Sequence, residues 1–329
     1  MGPDLKVVRY ILSRLAKAVV VLLAIVVLNF CLIHAAPGDP AAVMAGEAGA
    51  ADEMFLQQLK EKFGLDQPFH VQLWTYMSGV LQFDLGYSYR QGAPVLDLIL
   101  DRLFPTLLLT GAAFFISILL GVLAGAMAAV RVGSWADTAI TTLALVFYAT
   151  PLFWVALMAI LLFAVQLDWL PAYGMETVGG GYSGLDRWLD IARHLVLPAM
   201  TLGLFFTAIY TRMARASMLE TAGEDFVKTA RAKGLSEGKI TRRHVLRNAI
   251  LPVVTLAGLQ AGQIVGGAVL TETVFAWPGI GRLMFDALLQ RDYNLLLGVF
   301  LISSAMVLLF NLITDLLYLL VDPRIELAK

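Results

Sequence analysis

Charge is scarce in this chain. Of its 329 residues only 15% are Asp, Glu, Lys or Arg, where a water-soluble domain carries about 25%. Hydrophobic residues make up 59%, and so much apolar side chain is hard to bury in one aqueous core. A bilayer removes the difficulty, because lipid becomes the solvent for the outer faces. The single cysteine, Cys31, excludes an internal disulfide framework. With four histidines and no second cysteine, a Cys/His zinc site is not expected, and no metal ligands are assigned. No G-x-x-x-x-G-K-[ST] loop occurs, so the chain does not bind ATP by that route. Neither the H-E-x-x-H zinc motif nor the G-x-S-x-G nucleophile elbow is present. No catalytic residue is assigned, no cofactor is expected in this chain, and nothing points to nucleic acid.

What is present is a series of long uncharged runs. A hydrocarbon core about 30 Å thick takes roughly 20 apolar residues of helix to cross. Ala18–Gly38, Leu103–Val130, Thr138–Leu167, His194–Thr211, Asn248–Thr271 and Tyr293–Thr314 hold no Asp, Glu, Lys or Arg. The last extends past Asp315 through Leu316–Val321. Lipid cannot satisfy open backbone polar groups, and the runs lack the strict alternation of barrel strands, so they read as helices. The expected fold is an all-α polytopic membrane protein with six transmembrane helices, 1–329 forming one membrane domain. The first run has the basic lead of a signal peptide, yet its length and Pro37 directly after Ala36 favour a retained helix.

The basic residues orient the chain. Segments 1–17, 131–137, 212–247 and 315–329 hold sixteen Lys and Arg, whereas the short loops 168–193 and 272–292 hold four. Positive charge stays inside, so both termini are expected in the cytoplasm and 36–102 forms a large extracytoplasmic loop. Within that loop Glu53–Phe63 has the spacing of a short amphipathic helix. Pro105 is expected near the start of the second span, where it costs little. Gly179-Gly180-Gly181 reads as a flexible or tightly turned stretch.

Few polar residues interrupt the runs. Asp315 reads as a carboxylate at the end of the last helix, with a proton relay as the lesser alternative, and Asn29 and Asn311 as interhelical hydrogen-bonding groups. Gln260 and Gln263 are three apart on one helical face and either line a polar passage or join helices. Gly258, Gly262, Gly266 and Gly267 permit close helix approach. Glu272 closes the fifth run as an interfacial carboxylate, with a gate on the translocation path as its functional alternative.

The segment 212–248 carries the most information. Arg212–Lys233 has few helix breakers apart from Gly223, and Gly234 is placed to end the helix. Ser236 stands where it can cap a second helix running through His244 and Asn248 into the fifth span. The result is a helix–turn–helix projection with small residues at its tip. A solvated basic loop touching anionic lipid heads obeys the same charge rule. Alanine and glycine at the tip favour protein docking, because they let another surface approach closely.

In this segment Thr229, Ala230, Gly234, Ile250, Leu251 and Pro252 resemble the signature of ABC-importer permeases. The acid that opens the general signature is replaced by Lys228, with Glu224 and Asp225 upstream, and the interval from Gly234 to Ile250 is long. Both departures resemble the dipeptide/oligopeptide/nickel branch. Other stretches agree in order along the chain: His34–Pro40, Phe63–Pro68, Asp84–Ser88, Glu272–Arg282, Arg291–Tyr293 and Val321–Arg324. Within the branch the pattern is most similar to the first permease subunit of dipeptide importers.

The resemblance implies a type I importer permease fold and an ATPase-coupling segment comprising Glu224, Asp225, Lys228, Thr229, Ala230, Arg231, Ala232, Lys233, Gly234 and Leu235. It implies a second homologous permease, two P-loop ATPases holding ATP and Mg2+, an extracytoplasmic solute-binding protein and a bacterial cytoplasmic membrane. The cargo would be dipeptides or short peptides. An ion-coupled secondary transporter is the alternative, disfavoured by the missing inverted repeat and the few ionisable groups in the runs.

Overall fold

A computed structural model describes residues 3–35, 57, 66–88 and 90–321. The helix expected over Glu53–Phe63 lies outside these residues apart from Gln57, as do the family-like stretches at 36–40, 63–65 and 322–324. Helix dominates. The elements are α1 (Pro3–Ala35), α2 (Phe69–Leu81), a short hairpin of β1 (Tyr87–Ser88) and β2 (Ala93–Pro94), then α3 (Val95–Val130), α4 (Trp135–Ala149) and α5 (Leu152–Ala159). There follow α6 (Gly184–Ala222), α7 (Asp225–Ala232), α8 (Glu237–Ile240), α9 (Leu246–Val274), α10 (Ile280–Gln290) and α11 (Tyr293–Val321).

Among the described residues, four of these helices carry stretches long and apolar enough to cross a bilayer: Leu12–Leu32 of α1, α3, α6, and Tyr293–Thr314 of α11. The third uncharged run is not the single straight helix its composition suggests. It divides into α4 and a second arm, α5 with the π-helical turn Ile160–Gln166, bent by 103°. Pro151 is the cause: the residue before a proline is pushed out of the helical region, and Thr150 is extended at φ −83°, ψ 136°. Pro105 also departs from expectation. It sits inside α3 rather than at its start, because the helix begins at Val95.

The chain divides into two compact units. The first comprises Met1–Phe104 and Arg282–Leu308. In it Phe30, on α1, gathers an aromatic cluster with His34, Phe69 and Tyr76, and His34 Nε2 lies 3.0 Å from Gln72 Oε1. Two family-like stretches meet here. The Ser88 hydroxyl donates to buried Asp292, whose other oxygen accepts the Leu295 N–H at 3.1 Å and so caps α11. Asn294 donates to the Tyr87 carbonyl at 3.1 Å. Asn29 does not make the hydrogen bond expected of it: its Nδ2 is buried with no partner among the described residues.

The second unit comprises Pro105–Gly281 and Leu309–Lys329. Its centre is α6, flanked by α4, α5 and α9. Leu109, Leu202, Phe206, Tyr210, Val253 and Trp277 form its main apolar cluster. Close approach of α3 to α6 depends on Gly121 and Gly125, a G-x-x-x-G pair that the sequence reading passes over. A Cβ at Gly121 would lie 2.4 Å from Tyr210 Cβ, and one at Gly125 2.6 Å from the Thr211 carbonyl oxygen. Small residues at such a crossing let backbones meet where lipid offers no hydrophobic incentive. Gly258 acts in the same way on α9, its carbonyl accepting the Thr314 hydroxyl at 2.9 Å. At one end of this packing Arg215 forks onto Asp137 at 2.7 and 2.8 Å, tying α6 to α4. The triple glycine is tightly turned, Gly180 N–H donating to the Thr177 carbonyl.

Candidate functional site

Within 212–248, α7 and α8 are joined by a turn, but the expected continuous helix through Gly223 is broken. α6 ends at Ala222, and the amides of Gly223 and Glu224 close onto the carbonyls of Glu220 and Thr221. Glu224 is extended and starts a separate helix, α7. A glycine costs helix about 1 kcal/mol relative to alanine, and the Gly-Glu-Asp sequence offers turn and first-turn residues instead. The consequence is a short independent element, free to present two different faces.

Its inner face is anchored. Val227 and Ala230, three apart, are buried against Met218, Ile240, Val245, Ala249 and Ala129. Burying a valine side chain contributes on the order of 2 kcal/mol. Its outer face, comprising Asp225, Phe226, Lys228, Thr229, Ala232 and Lys233, is exposed. Phe226, 42% exposed among charged neighbours, is absent from the residues singled out by sequence; its apolar ring on a charged face is the signal that was available.

Gly234 ends this helix as its type requires. It adopts φ +74°, a left-handed conformation that other L-residues enter only at a cost. Its N–H donates to Arg231 O at 2.9 Å, and Leu235 N–H to Ala230 O at 3.3 Å. Beyond it, Ser236 holds the first position before α8 without a side-chain capping bond. The turn is closed by charge instead: Arg231 forks onto Glu237 at 2.8 and 3.2 Å. That pairing holds the Glu237 carboxyl below its ordinary range and raises Arg231 further. Lys228, standing where the general signature has an acid, pairs at 2.8 Å with Asp225 one turn earlier. The carboxylate is thus present on α7, displaced by three residues. From α8 the chain continues through a π-helical turn, Thr241–Val245, into α9.

A second cluster gathers around Glu272. It is not the interfacial carboxylate expected at the end of an apolar run; it is fully buried. The Thr106 hydroxyl donates to Glu272 Oε1 at 2.7 Å and accepts the Ile280 N–H at 2.8 Å. Trp277 N–H donates to the Glu272 carbonyl, and Trp277 Nε1–H to the Pro105 carbonyl at 2.9 Å. A Cβ at Gly279 would fall 2.1 Å from the Glu272 carboxyl carbon. The 275–281 turn is therefore folded around that carboxylate and braced to α3. Gln260 lies on the same helix, its Oε1 buried with no partner among the described residues. The Gln263 side chain lies outside the described residues. Among the described residues no group of three or more His, Cys, Asp or Glu is placed to hold a metal ion.

Long apolar helices, with a short amphipathic helix between two of them, define a multi-pass membrane protein. Family models agree along most of the chain. Residues 117–327 match the binding-protein-dependent transport system inner membrane component, and residues 7–110 match the N-terminal part of such membrane components. The chain belongs to this family, the permease subunits of ABC importers, and is a transport subunit rather than an enzyme. It is 40% identical to the dipeptide transport system permease protein DppB of Escherichia coli (strain K12), over 98% of this chain and 99% of that protein. It is 39% identical to the oligopeptide transport system permease protein AppB of Bacillus subtilis (strain 168), over 96% and 99%. Among solved structures, an inward-facing conformation of the MetNI methionine ABC transporter matches with TM-score 0.54 at 18% identity, over 68% of this chain and 96% of that one. That likeness concerns the fold.

Proposed function

We propose that this chain is one of two membrane-spanning subunits of an importer for dipeptides or short peptides in a bacterial cytoplasmic membrane. It forms a single membrane domain of six spans with both termini in the cytoplasm. α4 and α5 make up one span across their bend, and α9 another. A second homologous permease completes the passage. Two P-loop ATPases, carrying ATP and Mg2+, drive it, and an extracytoplasmic solute-binding protein delivers the cargo. Full-length similarity to dipeptide and oligopeptide permeases supports that cargo class.

α7 carries the reading. Its inner face is locked into the second unit by Val227 and Ala230, while its outer face is exposed from Asp225 to Lys233. Such an element transmits a push as a rigid lever: closure of the ATPases on nucleotide displaces α7, and α7 displaces the helices it is anchored to. Glu224, Asp225, Lys228, Thr229, Arg231, Ala232 and Lys233 form the contact surface, to which Phe226 adds an apolar knob. Ala230, Gly234 and Leu235 hold its shape. In the passage itself Gln260 and Gln263, three apart on one helical face, supply polar groups. Glu272, bonded and enclosed, acts as the brace of the 275–281 turn and not as part of the wall.

The test is purification of the tagged chain in mild detergent from cells expressing its whole operon. Recovery of two P-loop ATPases and a second permease is expected. A lone chain or homodimer under several extraction conditions would overturn the proposal.

A further inference from the structure

Beyond α7 lies a group of cations with no part in the reading above. Lys239, Arg242, Arg243 and Arg247 line an open cleft of about 810 Å³ together with Ser236 and Gly238, and among the described residues no carboxylate borders it. All four are exposed. Among the described residues none of them forms an ion pair, whereas the nearby Lys228 and Arg231 are taken up by Asp225 and Glu237. Concentrated positive charge without an internal counter-ion raises the local concentration of anions.

The cleft owes its shape to the π-helical turn Thr241–Val245. Its wider winding lets residues five apart share a face, and Arg242 and Arg247 both reach the cleft. The same surface then changes character. At three, four and seven residues past Arg247, one helical stripe, stand Ile250, Leu251 and Val254, all exposed. From Lys239 to Arg247 the helix advances roughly 12 Å. There the uncharged run Asn248–Thr271 begins, which sets Arg247 at the depth of lipid headgroups.

We propose that this cleft seats an acidic phospholipid, its phosphate held by Lys239, Arg242, Arg243 and Arg247 and its acyl chain lying along Ile250, Leu251 and Val254. An acidic protein surface would match the cations but not the apolar stripe that continues them into the membrane run. The inference rests on the chain's place in a bilayer and not on the docking role of α7.

Native mass spectrometry of the purified assembly tests it, titrating dioleoyl-phosphatidylglycerol against dioleoyl-phosphatidylcholine. Preferential retention of phosphatidylglycerol is expected. Removing one cation weakens retention about fivefold, since a basic residue near an anionic surface contributes about 1 kcal/mol. Arg243→Gln with Arg247→Gln should therefore lose most of the preference, and Arg243→Lys with Arg247→Lys should keep it. Equal retention of the two lipids by the unaltered assembly overturns the proposal whatever the variants do. Competition by inorganic phosphate as potent as by a short-chain phosphatidylglycerol would assign the cleft to free phosphate. Loss of an ATPase subunit from the glutamine variant, with lipid retention unchanged, would assign it to a protein partner.

Discussion

Substitutions at Gly234 separate the shape of the docking turn from its contacts. The residue has φ +74°, and nothing lies within 4 Å of the position a Cβ would take. A side chain there meets no obstacle, so the cost of alanine is backbone strain alone, about 1–2 kcal/mol. Asparagine, which enters the left-handed region more readily, should cost less. Proline is of another kind. Its ring fixes φ near −65°, far from the native angle, and it removes the N–H that donates to Arg231 O at 2.9 Å. The alanine strain reduces the population of the closed turn by a factor of about 5–30 if it is relieved by opening. The assay is ATP-dependent peptide uptake per inserted chain, with hydrogen exchange across 225–240 as the local readout. The expected order is glycine, asparagine, alanine, proline, with insertion equal throughout. Normal uptake by Gly234→Pro at normal abundance would refute the lever argument.

Other substitutions probe the frame. Thr106→Val removes the donor to Glu272 and the acceptor of the Ile280 N–H together, and should destabilise the solubilised protein by about 1–3 kcal/mol, read as a lowered melting temperature. Gly125→Leu forces a side chain against the Thr211 carbonyl and Ala214, and should cost about 1–3 kcal/mol or more in the same assay. The Arg231–Glu237 pair gives a pH dependence. Folding depresses the Glu237 value below its ordinary 4.5, so the pair's support is complete above that pH and fades as pH falls through the depressed value. The protection of amides 231–240 relative to their intrinsic exchange rates should fall below pH 4.5 in the native chain, while Glu237→Gln should lack that step.

Hydrophobic runs made most of the helical layout legible, because lipid forces every long uncharged run to satisfy its own backbone. Breaks within runs were harder to see. Pro151 lies in a stretch as apolar as its neighbours, so composition alone continued the helix through it, and only the extended Thr150 marks the bend. Gly223 is one glycine in an otherwise helix-favouring stretch, yet the turn it makes gives α7 its independence. Gly234 was readable because its role is local: a left-handed stop needs only the backbone. The burial of Glu272 was not, since Thr106 and Ile280 are 166 and 174 residues from the partners they meet. Phe226 went unmarked because one aromatic residue has no periodicity; its exposure follows from which face Val227 and Ala230 bury.

Uptake of a labelled dipeptide into proteoliposomes bearing the purified assembly, with ATP supplied and all ion gradients collapsed, tests the central claim most directly. Uptake that requires ATP and persists without a gradient is the expected result. Uptake that follows an imposed ion gradient and ignores ATP would contradict it.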